Sequence, residues 1–264
     1  MNSKKVAFGL FGVSYSEANV NWLRDWLIYD VDFRKSSENY KKYIINHLIG
    51  EGFDVDVYLS TYETEDIDNL KDELVKHYNP KNLSIVDYSI NTKTNNLSRN
   101  LIFSRLCHSI LNSKEVYDFI VLTRFDLILL QKLSDVKIDL TKINVVHETD
   151  ASDEFDDNFY IVPGNIFGRF VEVTDKFGTG GYDTQSSWHY YGHDECLSFH
   201  YLKPHFEDEF GVGCINTMVD GQYMAGHSPF MNIIRGYHDK PDFNDVWSVN
   251  WQGTEEQGKN YFKS

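Results

Sequence analysis

The stretch YDFIVLTRFDLIL, residues 117–129, decides how this chain is read. Phe119 to Leu122 are apolar without a break, and Leu127 to Leu129 are apolar again. Between them stand Thr123, Arg124 and Asp126, with Phe125 separating the two charges. A buried strand does not carry an arginine and an aspartate in its middle, because each desolvated charge is costly. The run therefore reads as a buried strand that emerges at Arg124 onto the rim of a cleft and packs again from Leu127. If strand alternation holds through the motif, Arg124 and Asp126 share one face and Phe125 points the other way.

Working outward, the preceding residues alternate between strand and helix patterns. Lys5 to Val13 is an apolar run ending in Gly-Val-Ser-Tyr. Tyr40, Tyr43, Ile44, His47 and Leu48 fall at helical spacing, with Ser36 or Ser37 as N-cap and Gly50 and Gly52 as the stop. Asp54 to Ser60 alternates polar and apolar residues as a half-buried strand. Ile67, Leu70, Leu74, Val75 and Tyr78 form a second helical stripe, with Pro80 beyond its end. Leu83 to Tyr88 is strand-like, and Leu97, Leu101, Leu106 and Ile110 mark a third helix. This order predicts an α/β fold with a mostly parallel central sheet flanked by helices. Ligands of such sheets sit beyond the carboxyl ends of the strands. The candidates are then Gly12, Val13 and Ser14; Ser60, Thr61 and Tyr62; and Arg124 to Asp126.

The C-terminal portion is irregular. Strands are expected at Ile143 to His147 and Phe159 to Val162, and a helix near Pro163. The Gly-rich GTGGYD (178–183) lacks the Gly-Lys-Ser/Thr of a phosphate loop and reads as a loop over a cleft. A further helix is expected from His193 to Leu202, and the tail shows no periodicity. One domain over residues 1–264 fits best, with a nucleotide-binding-like half over 1–130 and an irregular half and tail over 131–264. The net charge of −15 argues against a nucleic-acid partner, which would meet a basic face. Cys107, Cys196 and Cys214 are too scattered for a zinc ribbon or a disulfide framework, and reduced thiols fit a cytoplasmic protein. The start reads as a first strand rather than a signal peptide, and no run approaches the ~18 apolar residues of a membrane span.

A carboxylate at a strand end beside an arginine suits the binding of a diphosphate. The carboxylate holds Mg²⁺ or Mn²⁺, and cation and arginine together neutralise the phosphate charge. The plain alternative is an aspartate closing a turn with the arginine paired to it. Asp194 and Glu195, in HDE (193–195), stand where a carboxylate either caps a helix or serves as a general base. Asp156 and Asp157 precede a strand and are candidates for binding sugar hydroxyls. HExxH is absent, so a zinc hydrolase is not supported, while His227 or His238 in the tail remains a candidate added metal ligand.

In order, GLFGVSYS, DVDVYLSTYE, HYNPKNLSIVDY and YDFIVLTRFDLIL resemble GT-A-fold glycosyltransferases, above all those of large DNA viruses and bacterial glycan-assembly loci. The resemblance covers residues 5 to 205. It implies a Rossmann-like GT-A sheet and transfer of a sugar from a nucleotide-diphosphate sugar to a glycan or glycoprotein hydroxyl. It also implies Asp126 as the carboxylate for Mn²⁺ or Mg²⁺ and His238 as a further ligand. Gly12, Val13, Ser14, Thr61 and Tyr62, with Arg124 and Phe125, would line the nucleotide, and Arg99 or Arg105 would reach the phosphates. Asp194 or Glu195 would act near the acceptor. The departure is Arg124, which stands where the family's Asp-x-Asp has its first aspartate, so the arginine itself can supply the positive charge. A catalytically inactive glycan- or nucleotide-binding module is the rival reading.

Overall fold

A computed structural model describes residues 4–16, 29–65, 67–86, 97–146, 158–178, 206–215, 230–233 and 236–237. In chain order its strands and helices begin with β1 (Lys4–Phe11), β2 (Tyr15–Ser16), β3 (Tyr29–Asp32), α1 (Phe33–Tyr40) and α2 (Asn46–Gly50). Next come β4 (Phe53–Tyr62), α3 (Leu70–Tyr78), β5 (Asn82–Val86), α4 (Leu97–Asn112), β6 (Phe119–Arg124) and β7 (Leu127–Leu129). The rest are β8 (Ile143–Val145), β9 (Phe159–Pro163), α5 (Phe167–Gly178), β10 (Val212–Cys214), β11 (Met231–Ile233) and β12 (Gly236–Tyr237).

The centre is a seven-stranded sheet in the order β10-β8-β9-β6-β1-β4-β5. The strands β5, β4, β1 and β6 are parallel, and β9 alone runs against its neighbours β6 and β8. This is the mostly parallel, Rossmann-like α/β sheet expected from the strand–helix alternation. Helices cover both faces, so β1 reads as a continuous apolar run instead of an alternating one. Ala7 and Phe11 face α4 and α5 with Tyr58, Ile102, Phe103, Leu106 and Phe170. Val6, Phe8 and Leu10 face α1 and α3 with Phe33, Tyr40, Ile44, Leu74 and Tyr78. Each such large side chain contributes about 1.5–3 kcal/mol when fully buried.

The first helix begins earlier than expected. Its N-cap is Asp32, at φ −134°, whose side chain accepts from the Arg34 N–H at 3.0 Å. A carboxylate there satisfies an orphan donor and faces the positive end of the helix dipole. Ser36 and Ser37, the expected caps, are instead buried within α1. A π-helical turn, Lys41–Ile45, joins α1 to α2. Tyr40, Ile44 and Leu48 are all buried, and the wider turn keeps this four-residue repeat on the core side. The second helix starts at Leu70 rather than Ile67 and ends where Asn79 takes φ 44°, just before Pro80.

The tail, aperiodic in sequence, supplies β11 to β7 and β12 to β3. Pairings of two or three residues are too short to leave a period in the sequence. The expected helix at 193–202 lies outside the described residues, as does most of the loop at 178–183. Among the described residues no helix is long and apolar enough to cross a membrane.

Candidate active site

The parallel register aligns Phe11 with Ser60 on one side and with Arg124 on the other. The three segments singled out in the sequence therefore reach the carboxyl edge of the sheet side by side, with β4 running on to Tyr62 beside β5. Gly12 turns the chain with φ +101°, a conformation that favours glycine, and a Cβ there would meet nothing within 4 Å. The turn returns Ser14 to the next strand. Its N–H donates to Thr61 Oγ1 at 3.1 Å, and Thr61 Oγ1 donates to Ser14 Oγ at 2.8 Å. Both hydroxyls are buried, so this pair anchors the loop to β4. Val13 packs half-buried against the α4-side core, and Tyr62 is buried within it. Ser60 is fully buried, and its hydroxyl has no hydrogen-bond partner among the described residues.

At the neighbouring strand end, β6 stops at Arg124, and Phe125 and Asp126 form a turn before β7. Strand alternation does not continue through the motif, yet Arg124 and Asp126 still converge. Arg124 Nε donates to Asp126 Oδ1 at 2.8 Å and Nη2 to Oδ2 at 2.6 Å, a bidentate fork. Nη1 donates to Asn158 Oδ1 at 2.8 Å. The two side chains are only 14% and 5% exposed, so the pair is largely dry. Phe125 is fully buried, with its ring centroid 6.2 Å from that of Tyr78. Its side chain belongs to the core, and the turn reaches the rim through the charged residues on either side.

Asn158 escaped the sequence reading. Because β9 is antiparallel, its first residues arrive at the edge where β6 ends, with Thr123 aligned to Phe159. The available signal was a polar residue directly before an apolar strand, in DDNFYIV. Beside the Gly12 loop, Arg34 forks onto Asp32 at 2.8 Å through both Nε and Nη2 and lies 5.2 Å above the Tyr15 ring. Burial works against the Asp32 carboxylate, but the Arg34 hydrogen bonds hold its pKa below the ordinary 3.8.

Of the other expected site residues, Arg99 stands in the first turn of α4, at the end of the helix that follows the carboxyl end of β5. Arg105 is exposed on α4, while Ile102, Phe103 and Leu106 bury the sheet-facing side. Asp156, Asp157, Asp194, Glu195 and His238 lie outside the described residues.

A divalent cation of the Mg²⁺ or Mn²⁺ type needs oxygen ligands with charge to spare. Asp126 has both oxygens on a guanidinium that already neutralises it. Among the described residues no group of three His, Cys, Asp or Glu side chains is placed to hold a metal ion. Asp156, Asp157 and His238, the other expected oxygen and nitrogen donors, lie outside the described residues.

No protein-family model matches the chain, and no curated protein does. Among solved structures it is similar to a glycosyltransferase involved in the glycosylation of the major capsid of PBCV-1. The two are 10% identical, with 80% of this chain and 82% of that one covered and a TM-score of 0.38. It is similar to an inositol-1-phosphate CTP transferase from T. maritima at 12% identity, over 83% of this chain and 89% of the other, with a TM-score of 0.38. The glycosyltransferase GlyE of Streptococcus pneumoniae TIGR4 is 12% identical over 80% of this chain, with a TM-score of 0.36, and the match spans 45% of GlyE. The solved structures similar to this α/β chain thus include glycosyltransferases of a large DNA virus and of a bacterium, together with one nucleotidyltransferase.

Proposed function

We propose that this chain is a glycosyltransferase that moves a sugar from a nucleotide-diphosphate sugar to a hydroxyl of a glycan or glycoprotein acceptor. The observation that carries this reading is the single row formed by Phe11, Ser60 and Arg124, from which the Gly12 turn, Thr61 and the Arg124–Asp126 fork emerge together. In this reading the Gly12–Ser14 loop and the Thr61–Tyr62 strand end take the nucleotide. Arg124 faces the diphosphate, and Arg99 or Arg105 of α4 supplies a further charge for the phosphates. As the bond from the sugar's anomeric carbon to the diphosphate oxygen breaks, negative charge grows on the leaving phosphate, where a fixed guanidinium stabilises it most. A carboxylate, Asp194 or Glu195, takes the proton of the attacking hydroxyl. Asp156 and Asp157 bind hydroxyls of the acceptor glycan.

The test is a panel of UDP- and GDP-sugars, read by thermal shift and by hydrolysis without acceptor, each with and without Mn²⁺. We expect a raised melting temperature and slow donor hydrolysis, both lost in Thr61→Arg, which thrusts a long side chain into the row. Binding without hydrolysis in any condition would favour the inactive binding module. No binding of any nucleotide at millimolar concentration would sink the donor site. A response confined to the Mn²⁺ arm would assign Asp126 a cation despite its fork; an equal response in both arms would leave the charge to Arg124.

A further inference from the structure

Helix α1 carries three polar side chains on a face that is otherwise core. Ser36, Asn39 and Tyr40 are spaced i, i+3, i+4 and so lie on one side of the helix. Each reaches a backbone group between the last residue of β6 and the end of β7. Tyr40 Oη donates to the Arg124 carbonyl at 2.5 Å, and Ser36 Oγ donates to the Phe125 carbonyl at 2.6 Å. Asn39 Nδ2 donates to the Leu129 carbonyl at 2.9 Å, while the Leu129 N–H donates to Asn39 Oδ1 at 2.8 Å. The same helix is tied to the loop after β1, because its Phe33 N–H donates to the Ser14 carbonyl at 2.9 Å.

The reason these groups meet is topological. The chain leaves the central sheet at Arg124, so the carbonyls of the turn lose the ladder that served β6. Buried backbone groups must find partners elsewhere, and α1 supplies them from side chains. Tyr40 is fully buried and packs edge-on against Phe8 with centroids 5.5 Å apart. Burial pushes its phenol well above the ordinary value, so it stays a neutral donor across the working range. The π turn begins at the next residue, Lys41, and such turns inside helices are frequent at functional sites.

We propose that Ser36, Asn39 and Tyr40 are positioning residues for the candidate site: by fixing the backbone on both sides of Asp126, they set the direction in which the Arg124–Asp126 fork meets a phosphate. The role toward phosphate rests on the donor reading above, whereas the control of the fork does not. Placement to a fraction of an ångström decides how much a charged group contributes to binding and catalysis.

Two readouts test this and separate the two ideas. The first is the Arg124 Nε–H resonance in ¹H–¹⁵N spectra, identified by its loss in Arg124→Lys. Tyr40→Phe removes one hydroxyl and keeps the ring, and Ser36→Ala is its small-side-chain counterpart. Both should shift or broaden that resonance while the amides of β4 and β5 keep their positions. The second readout is calorimetry with inorganic pyrophosphate, and with uridine and guanosine as phosphate-free controls. Tyr40→Phe should weaken pyrophosphate binding about tenfold, the loss expected of a displaced charged hydrogen bond, and leave nucleoside binding unchanged. An unmoved Nε resonance in both variants, with only a lower melting temperature, would overturn the positioning role. Failure of the wild-type chain to bind pyrophosphate, UDP or GDP would overturn the donor reading and the phosphate role with it.

Discussion

Arg124 and Asp126 hold each other in a nearly dry fork, with Asn158 on the third side of the guanidinium. Removing two charges from water is costly, and the pair recovers that only through its bidentate geometry. Breaking one side is therefore worse than never having built it. Asp126→Asn leaves a buried guanidinium without its counter-charge, and we expect a loss of about 3–5 kcal/mol in urea unfolding. For that reason the variant is not a clean probe of metal binding, whatever it does to activity. Arg124→Lys keeps the charge and gives up the planar fork. It should weaken pyrophosphate binding more than nucleoside binding, as calorimetry would show; equal loss for both would speak against contact with the diphosphate.

Among the elements, the close approach of α4 and the β9–α5 junction both depend on missing side chains. A Cβ on Gly9 would lie 2.9 Å from Leu122 Cδ2 and 3.0 Å from Leu106 Cδ2, the ends of two side chains that can shift. Gly9→Ala should then cost about 1–3 kcal/mol, the usual penalty for overpacking a core. A Cβ on Gly164 would lie 1.7 Å from the backbone oxygen of Tyr117, and no rotamer relieves that. The Gly164 N–H also donates to the Asp118 carbonyl at 2.9 Å, so the backbone cannot simply retreat. Gly164→Ala should be clearly more damaging than Gly9→Ala in parallel urea melts. The reverse order would mean that the strand-to-helix turn is placed differently.

Across the whole molecule the two edges of the parallel sheet do different work. The carboxyl edge gathers the candidate site, and the amino edge is closed by an ionic clasp. Lys81 Nζ lies 2.7 Å from both Asp56 and Glu115, and Lys5 Nζ lies 2.8 Å from Glu115. Tyr117 Oη donates to Asp56 Oδ2 at 2.7 Å, so residues on or just before β1, β4, β5 and β6 are joined. Hydrogen bonds from Lys5 and Lys81 hold Glu115 below its ordinary 4.5. Burial opposes the Asp56 carboxylate, but Lys81 and Tyr117 hold it below 3.8. A depressed carboxylate binds fewer protons in the folded than in the unfolded state. Its stabilisation is present above the unfolded value and is lost as pH falls through the folded one. Urea midpoints should thus decline below about pH 4.5, and Lys81→Met should flatten that decline. A parallel shift at every pH would remove the clasp from the explanation.

The sequence by itself determined the α/β class, the order of the first strands and helices, and the strand ends at Gly12 and Arg124. Those features are written in local periodicity and in the punctuation of Gly and Pro, which act within a few residues of themselves. Arg124 and Asp126 were legible as charges out of place in an apolar run. Their shared face, with Phe125 turned the other way, was legible as well; the bidentate fork between them was decided by the turn after β6, which brings the two side chains into contact. Asn158, Asn39 and Tyr40 were not legible as parts of the site. An antiparallel β9 delivers the first, and a helix on the other side of the chain's first crossover delivers the others, at separations of 34 residues for Asn158 and of 84 to 90 for the α1 side chains. Contacts over such distances leave no mark in any sequence window, because only the assembled sheet brings their partners together.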